Sequence, residues 1–381
     1  MKPATWRRSL VCAALLVFLM VSMTSCSSGT QAPETDEKLP IKIGVLADLT
    51  GPSAQYGEGS ICAAQMVEED VNSIGGISGR ELQIVIEDHQ SRPEAGIDAI
   101  HKLIDVDNVD GIVHGVASGV FLAVAEYAQE QGVPIINTGA SSPQIAEVGD
   151  YAFSVMGLDT VMGKGLANLA WDMGYREVGF LVMNNPFGLG IEEAASQEFE
   201  VLGGTVPVKV EYTSAQLDYR ADVARLADVD AVISVAYGEE AAVILKQAFE
   251  AGIKPQWLWA YISDLGVSEP ETTEGIIGFD IGLGTDAEYF KEQYAARCPG
   301  MLVAPYQPAL WDGLWTMVMA MGLADSDRAA TRDAIHIVGP QVRAATGLIE
   351  FDENGMRKWM PYTLLRVTGG EPIPLDEIPT R

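Results

Sequence analysis

Ser118 stands among small residues in the stretch GIVHGVASGVF, residues 111–121. A serine set between Gly115, Ala117 and Gly119 has two chemical uses. It attacks a substrate as a nucleophile, or it lends a hydroxyl to a bound molecule. A nucleophile elbow needs Gly-x-Ser-x-Gly, because glycines two residues to either side relieve the strained turn. The order here is Gly-Val-Ala-Ser-Gly, which misplaces both glycines. His114, four residues upstream, is the nearest candidate base, and nothing in the spacing aims it at Ser118.

The binding use has its own mechanism. Ser118 follows an apolar strand and opens a helix, so its hydroxyl sits among the unpaired N–H groups of a helix start. Open parallel sheets bind ligands at their strand C-termini, and helix starts favour anions. The following strand ends in Gly139-Ala140-Ser141-Ser142-Pro143, with Ser142 suited to an N-cap and Pro143 to the first helical position. Two neighbouring strands thus deliver serine-bearing helix entrances to one place. Spacing alone leaves helix capping and ligand binding equally good accounts.

Other chemistry is thin. There is no GxxxxGK[ST] and no GxGxxG, and the fragment Phe187-Gly188-Leu189-Gly190 lacks a third glycine and a later acidic partner. His89, His101, His114 and His336 show no metal-ligand spacing with each other or with cysteine. No catalytic residue, metal or cofactor is expected, and so no enzyme.

The elements that carry these residues alternate. From Ile41 onward, short apolar runs alternate with amphipathic helical stretches, the pattern of βαβ units in a parallel sheet covered by helices on both faces. The rhythm breaks after Pro143, restarts near Val161, and runs through a second set ending at QWLWAYIS, residues 256–263. Trp257, Trp259 and Tyr261 share one strand face there. The pair of tryptophans reads as core, and Tyr261, at the strand end, as the member that reaches a site. Ala309–Ala324 is apolar but is interrupted by Asp312 and is too short for a bilayer, which needs roughly 20 apolar residues. It reads as a buried helix. The segment from Gly347 to Val367 reads as a hairpin around Asp352–Gly355.

The N-terminus reads as an export signal. Lys2, Arg7 and Arg8 precede an apolar stretch from Leu10 to Val21, which ends in Met23-Thr24-Ser25-Cys26. This resembles a lipobox, giving a signal peptide over 1–25 and lipidation at Cys26. Residues 26–40, rich in Ser, Pro and acid, read as a tether. The expected location is therefore outside the cytoplasm, anchored to the membrane by lipid. Once Cys12 and Cys26 are set aside, Cys62 and Cys298 remain, and two buried or free thiols rather than a disulfide are expected. The full chain carries 53 acidic against 24 basic residues, a net charge of −29. Such a surface repels nucleic acid.

Several segments taken together carry a resemblance: IKIGVLADLTGPSAQYGEG, VNSIGGISGRELQIVIED, QGVPIINTGASSP and FSVMGLD, in this order. They resemble the leucine/isoleucine/valine-binding family of type I periplasmic solute receptors of ABC importers. The resemblance spans Ile41 to Val367. It implies an α/β fold of two doubly wound parallel-sheet lobes joined by three hinge crossovers. The lobes would comprise 41–155 with 283–347, and 156–282 with 348–381. It implies a monomer that closes on a small solute, an amino acid or small carboxylate, and delivers it to an ABC permease. Carried over residue by residue, the site comprises Tyr56, Ser118 and the segment Gly139, Ala140 and Ser141 from the first lobe. Phe187 and Tyr237 come from the second lobe, with His114 as a further contact. Phe187 stands where the family often has Tyr. The family's carboxylate for the solute ammonium falls at Tyr261 here, with Asp264 three residues on. A branched-chain or related amino acid is the expected solute. An amine-free carboxylate, amide or urea-like solute is the alternative, as is a sensory rather than a transport role.

Overall fold

A computed structural model describes residues 39–284, 286–301 and 306–379. The expected signal peptide, Cys26 and nearly all of the tether lie outside the described residues. The apolar runs form two sheets. Strands β1 (Ile41–Ala47), β2 (Leu82–Asp88), β3 (Gly111–His114), β4 (Ile135–Asn137) and β5 (Ala152–Ser154) make an all-parallel sheet in the order β2-β1-β3-β4-β5. The second sheet uses β6 (Glu177–Met183), β7 (Thr205–Tyr212), β8 (Ala231–Val235), β9 (Gln256–Ala260), β10 (Ile277–Ile281), β11 (Tyr362–Thr368) and β12 (Glu371–Pro374). Its order is β12-β11-β10-β9-β8-β6-β7, parallel from β10 to β7, with β11 pairing antiparallel to both β10 and the edge strand β12.

Strands such as β3 and β8 are buried along their whole length because helices cover both faces of each sheet. Strand order reverses between β1 and β3 in the first sheet, and between β6 and β8 in the second. Helices after such a pair leave to opposite faces, so a crevice opens at the strand C-termini. The two crevices are where the candidate residues lie. Helix Tyr306–Leu323 is buried along most of its length against the first sheet, and no helix among the described residues is long and apolar enough to cross a membrane.

The chain passes between the sheets three times: after β5, after β10, and between helix Arg328–Val338 and β11. Arg357 ties the first and third passages together. Its guanidinium, 5% exposed, donates to the carbonyls of Val155 at 2.9 Å, Thr346 at 2.8 Å and Gly347 at 2.9 Å. Asp312 holds the same loop from the other side, accepting from the amides of Ala345 at 2.7 Å and Thr346 at 2.9 Å. Burial lowers the Arg357 pKa to about 10 and raises that of Asp312 to about 6.

Two expectations need correction. The turn at Asp352–Gly355 forms, but only a single bridge, Phe351 to Arg357, flanks it. The carbonyls that a ladder would need are taken by the Arg357 side chain. The hairpin is β11–β12, which turns at Gly369-Gly370, where φ values of 61° and 85° favour glycine. Cys62 and Cys298 are not free thiols; they form a disulfide with Cα atoms 6.1 Å apart. A separation of 236 residues hid this proximity. Helix Ala287–Arg297 returns to the first sheet beside helix Gly57–Ser73, where Arg297 binds Asp70 at 2.8 Å and Glu69 at 2.9 Å.

Candidate functional site

The first-lobe rim is built from the ends of β3 and β4, which pair His114 with Asn137. Ala117 is forced to φ +80°, and Ser118 then starts helix Ser118–Glu130. The hydroxyl does not cap its own helix. It accepts from the amides of Ser141 at 3.1 Å and Ser142 at 3.2 Å, stitching one strand end to the next. Asn137 completes the work. Its oxygen accepts from Gly139 N at 3.2 Å and Ala140 N at 2.8 Å, and its nitrogen donates to Ala140 O at 2.6 Å and Ser154 Oγ at 2.8 Å. Ser142 and Pro143 do start a short 3-10 helix, Pro143–Glu147.

The amides of Gly139, Ala140 and Ser141, expected to face a ligand, are therefore engaged within the rim. What the rim offers is hydroxyl chemistry. A serine has two acceptor sites and one donated proton. Ser118 has both acceptor sites filled, so its proton remains for an acceptor.

The second-lobe rim is aromatic. Asn185 caps helix Pro186–Val201 through the amides of Phe187 at 3.1 Å and Gly188 at 2.9 Å, which fixes Phe187 after β6. Tyr237 follows β8, its ring centroid 5.8 Å from that of Phe187. Tyr261 follows β9 at φ +59°, a strained setting for an aromatic residue, with its ring 5.9 Å from Phe187. The expected tryptophan packing holds: Trp257 and Trp259 are buried in the second core.

The two rims meet. Tyr56, on the turn Ala54–Tyr56 after β1, donates its hydroxyl to Asp264 of the other lobe. Asp264 reaches it because a 3-10 turn, Ile262–Val267, folds the chain back through a bond from Asp264 N to Tyr261 O at 3.0 Å. Gln55 packs on Gly238 at the start of helix Gly238–Glu250. Tyr306 stacks edge-on to Tyr56 at 4.7 Å and lies 6.4 Å from Tyr261. Sequence reasoning missed Tyr306. Its one signal was a tyrosine just ahead of a buried helix.

Burial raises the Asp264 carboxyl well above its usual range, only partly offset by the Tyr56 hydroxyl. Its Oδ2 has no partner among the described residues. Burial also raises Tyr56, and the facing Asp264 adds to the effect, so Tyr56 is a neutral donor. Asp280 nearby is raised to about 6 by burial, while accepting from Ser263 N at 2.7 Å.

His114 is placed elsewhere. Its ring is buried in the first lobe, stacked on His89 at 5.2 Å and edge-on to Phe121 at 5.2 Å. Burial pushes its pKa well down, so it is a neutral packing group. Tyr56, Ser118, Ser141, Phe187, Tyr237, Tyr261 and Asp264 converge where the crevices face each other.

Comparison with known proteins agrees with this architecture. The periplasmic binding protein family profile matches residues 40–371. The Leu/Ile/Val-binding protein homolog 1 of Brucella abortus is 25% identical over 343 residues, covering 86% of this chain and 90% of that protein. The crystal structure of a leucine-binding protein LivK from Thermotoga maritima superposes with a TM-score of 0.79 at 23% identity, covering 88% of this chain and 97% of that one. A solute-binding protein of an ABC transporter from R. palustris, solved with benzoate, gives a TM-score of 0.79 at 17% identity over 88% of this chain and 95% of its own.

Proposed function

The chain belongs to the periplasmic binding protein family, a family of solute receptors rather than enzymes, and from that premise we infer that it captures a branched-chain or related amino acid and hands it to an ABC permease. Cys26 would hold the exported receptor at the membrane, and the lobes would divide as 41–155 with 283–347 and 156–282 with 348–381. The observation that carries the reading is the bond from Tyr56 to Asp264. It joins the switch-point loop after β1 of the first sheet to the turn after β9 of the second, around Ser118, Ser141 and an aromatic wall. Such a bond forms when the lobes close, and closure of a hinged pair buries a solute between them.

The residue roles follow from their chemistry. Ser118, its acceptor sites filled by Ser141 N and Ser142 N, donates to the solute's carboxylate. The first turn of helix Ser118–Glu130 adds its dipole to that anion. Phe187, Tyr237 and Tyr261 wall the side-chain end, with Tyr56 and Tyr306 opposite.

A second reading draws on one specific observation. Asp264 already serves Tyr56, and the remaining wall is aromatic, as an amine-free aromatic acid would require. The benzoate complex of the R. palustris relative supports that alternative.

A thermal-shift screen of the purified protein separates the two. A ligand at a hundredfold excess over Kd stabilises by about 2.7 kcal/mol. Branched-chain amino acids are expected to raise the melting temperature. A shift with aromatic or aliphatic acids alone would replace the amino-acid reading with the second one. Ser118→Ala is expected to weaken binding by about 1–3 kcal/mol in calorimetry, the cost of leaving a buried partner unpaired.

A further inference from the structure

Asp159 opens helix Asp159–Asp172 directly after the first crossover. It is fully buried, and both carboxyl oxygens lack a hydrogen-bond partner among the described residues. A buried carboxyl without partners is costly and calls for an explanation. Its surroundings supply one. The buried hydroxyls of Tyr261 and Tyr362, which lie beside each other, are within its electrostatic reach. Gly190 makes room for it: a Cβ there would come within 3.0 Å of Asp159 Oδ2 and 2.9 Å of Pro143 Cδ. The carboxyl therefore sits between the helix start of one lobe and the serine rim of the other.

One residue links this carboxyl to the donor end of the site. Ser141 gives its amide to Ser118 Oγ at 3.1 Å, and its carbonyl accepts from Asp159 N at 2.7 Å. The Ser141 hydroxyl lies beside the Asp159 carboxyl. A hydroxyl with a proton to give and a carboxyl in need of one are thus separated by a single residue. In an α-amino acid, the carboxylate and the ammonium share one carbon.

We propose that Asp159, flanked by the Tyr261 and Tyr362 hydroxyls, is the solute-binding residue that takes the α-ammonium, while Asp264 serves the closure bond with Tyr56. This rests on the amino-acid reading above and names the group that enforces it. An ammonium has three donors and no acceptor, which suits a carboxylate and two phenolic oxygens. An amine-free acid would leave the carboxyl without a cation. Burial holds the empty carboxyl well above its usual range, so the site without solute keeps it neutral, and an arriving ammonium ionises it.

The test titrates leucine and its amine-free analogue 4-methylpentanoate into the full chain and into Asp159→Asn, with Tyr362→Phe as the milder second variant. The parent should bind leucine at least tenfold more tightly than the analogue. Asp159→Asn should lose tenfold or more for leucine and change less than threefold for the analogue, and Tyr362→Phe should lose several-fold for leucine alone. The solute-free Asp159→Asn protein should also melt at a higher temperature than the parent at neutral pH, since the amide folds without the proton uptake that a raised carboxyl pKa imposes. If the parent binds leucine and both variants bind it unchanged, the assignment of Asp159 is overturned while the amino-acid reading stands. Equal losses for leucine and the analogue also overturn it, because they report a general distortion. If the parent binds only amine-free acids, the amino-acid reading itself fails, and the parent titration alone reveals this.

Discussion

The two rims that face each other across the lobes are made of similar lengths of chain, yet they are finished differently. On the first rim, Ser118 and Asn137 find partners within the rim, while the His114 ring beneath them has none among the described residues. Ser118 Oγ holds two amides, and Asn137 uses both ends of its side chain. On the second rim and the adjoining crossover, polar groups are buried but incomplete: Asp159 has carboxyl oxygens without partners among the described residues, and so does Asp264 at Oδ2. Buried polar groups in folded proteins are nearly always paired. The first rim is therefore a prebuilt platform, and the second is a surface that awaits a donor. Strain sits at the same point on each, at Ala117 and at Tyr261. A receptor that must both hold a solute and release it benefits from this division: one rim fixes orientation, and the other makes closure depend on what is bound.

The contrast can be broken first on the platform. Asn137→Ala strips partners from Gly139 N, Ala140 N, Ala140 O and Ser154 Oγ at once. Unfolding in urea should show a loss of about 3–5 kcal/mol, the scale of a broken buried network. A loss under about 1 kcal/mol would mean that the platform is not held together as described.

The incomplete rim should respond to pH instead. Asp280, beside Asp264, is raised by burial from 3.8 to about 6. A folded-state pKa above the unfolded value means that the folded protein holds the extra proton between those two values. Its stability contribution is fully present below the unfolded pKa and is lost as pH rises through about 6. Asp280→Asn removes that dependence. Relative to the parent, the variant should gain up to about 3 kcal/mol between pH 4 and pH 7. Denaturation curves at the two pH values check it, and a difference that stays flat with pH would remove Asp280 from the buried carboxyl set.

The smallest effect lies at the junction. Tyr56→Phe deletes the donor that reaches Asp264 without touching either core. Affinity should fall by about tenfold, or about 1.4 kcal/mol, with the melting temperature of the solute-free protein nearly unchanged. Unchanged affinity would show that this bond does not contribute to closure.

The same contrast governs what the sequence revealed. The platform was legible because its parts are local: Ser118 and Gly139–Ser142 end adjacent strands, and adjacency in a βαβ run follows from chain order. Asn137 escaped notice because a strand-end amide has no signature until the loop folds over it. The incomplete rim was harder to read. Asp159 looks like any acidic residue in a helical first turn, where it favours the helix dipole. Only the third crossover brings Tyr362 near it. Arg357 escaped for the same reason: its hold on the Thr346, Gly347 and Leu348 carbonyls appears only once the third crossover has folded. The disulfide depended on a helix returning to the first sheet after β10 of the second. Periodicity and strand order carry over short range. Charge pairing across crossovers does not.

The central claim is that the bound solute supplies the donor that the second rim lacks. Burial keeps Asp159 and Asp264 raised while the site is empty, so a bound ammonium must convert a neutral carboxyl to its charged form and expel a proton. Calorimetric titration of leucine near pH 6, repeated in buffers of different ionisation enthalpy, counts that proton directly. The account predicts net release of up to about one proton per solute bound, abolished in Asp159→Asn. Binding with no proton released, or with uptake, would contradict it.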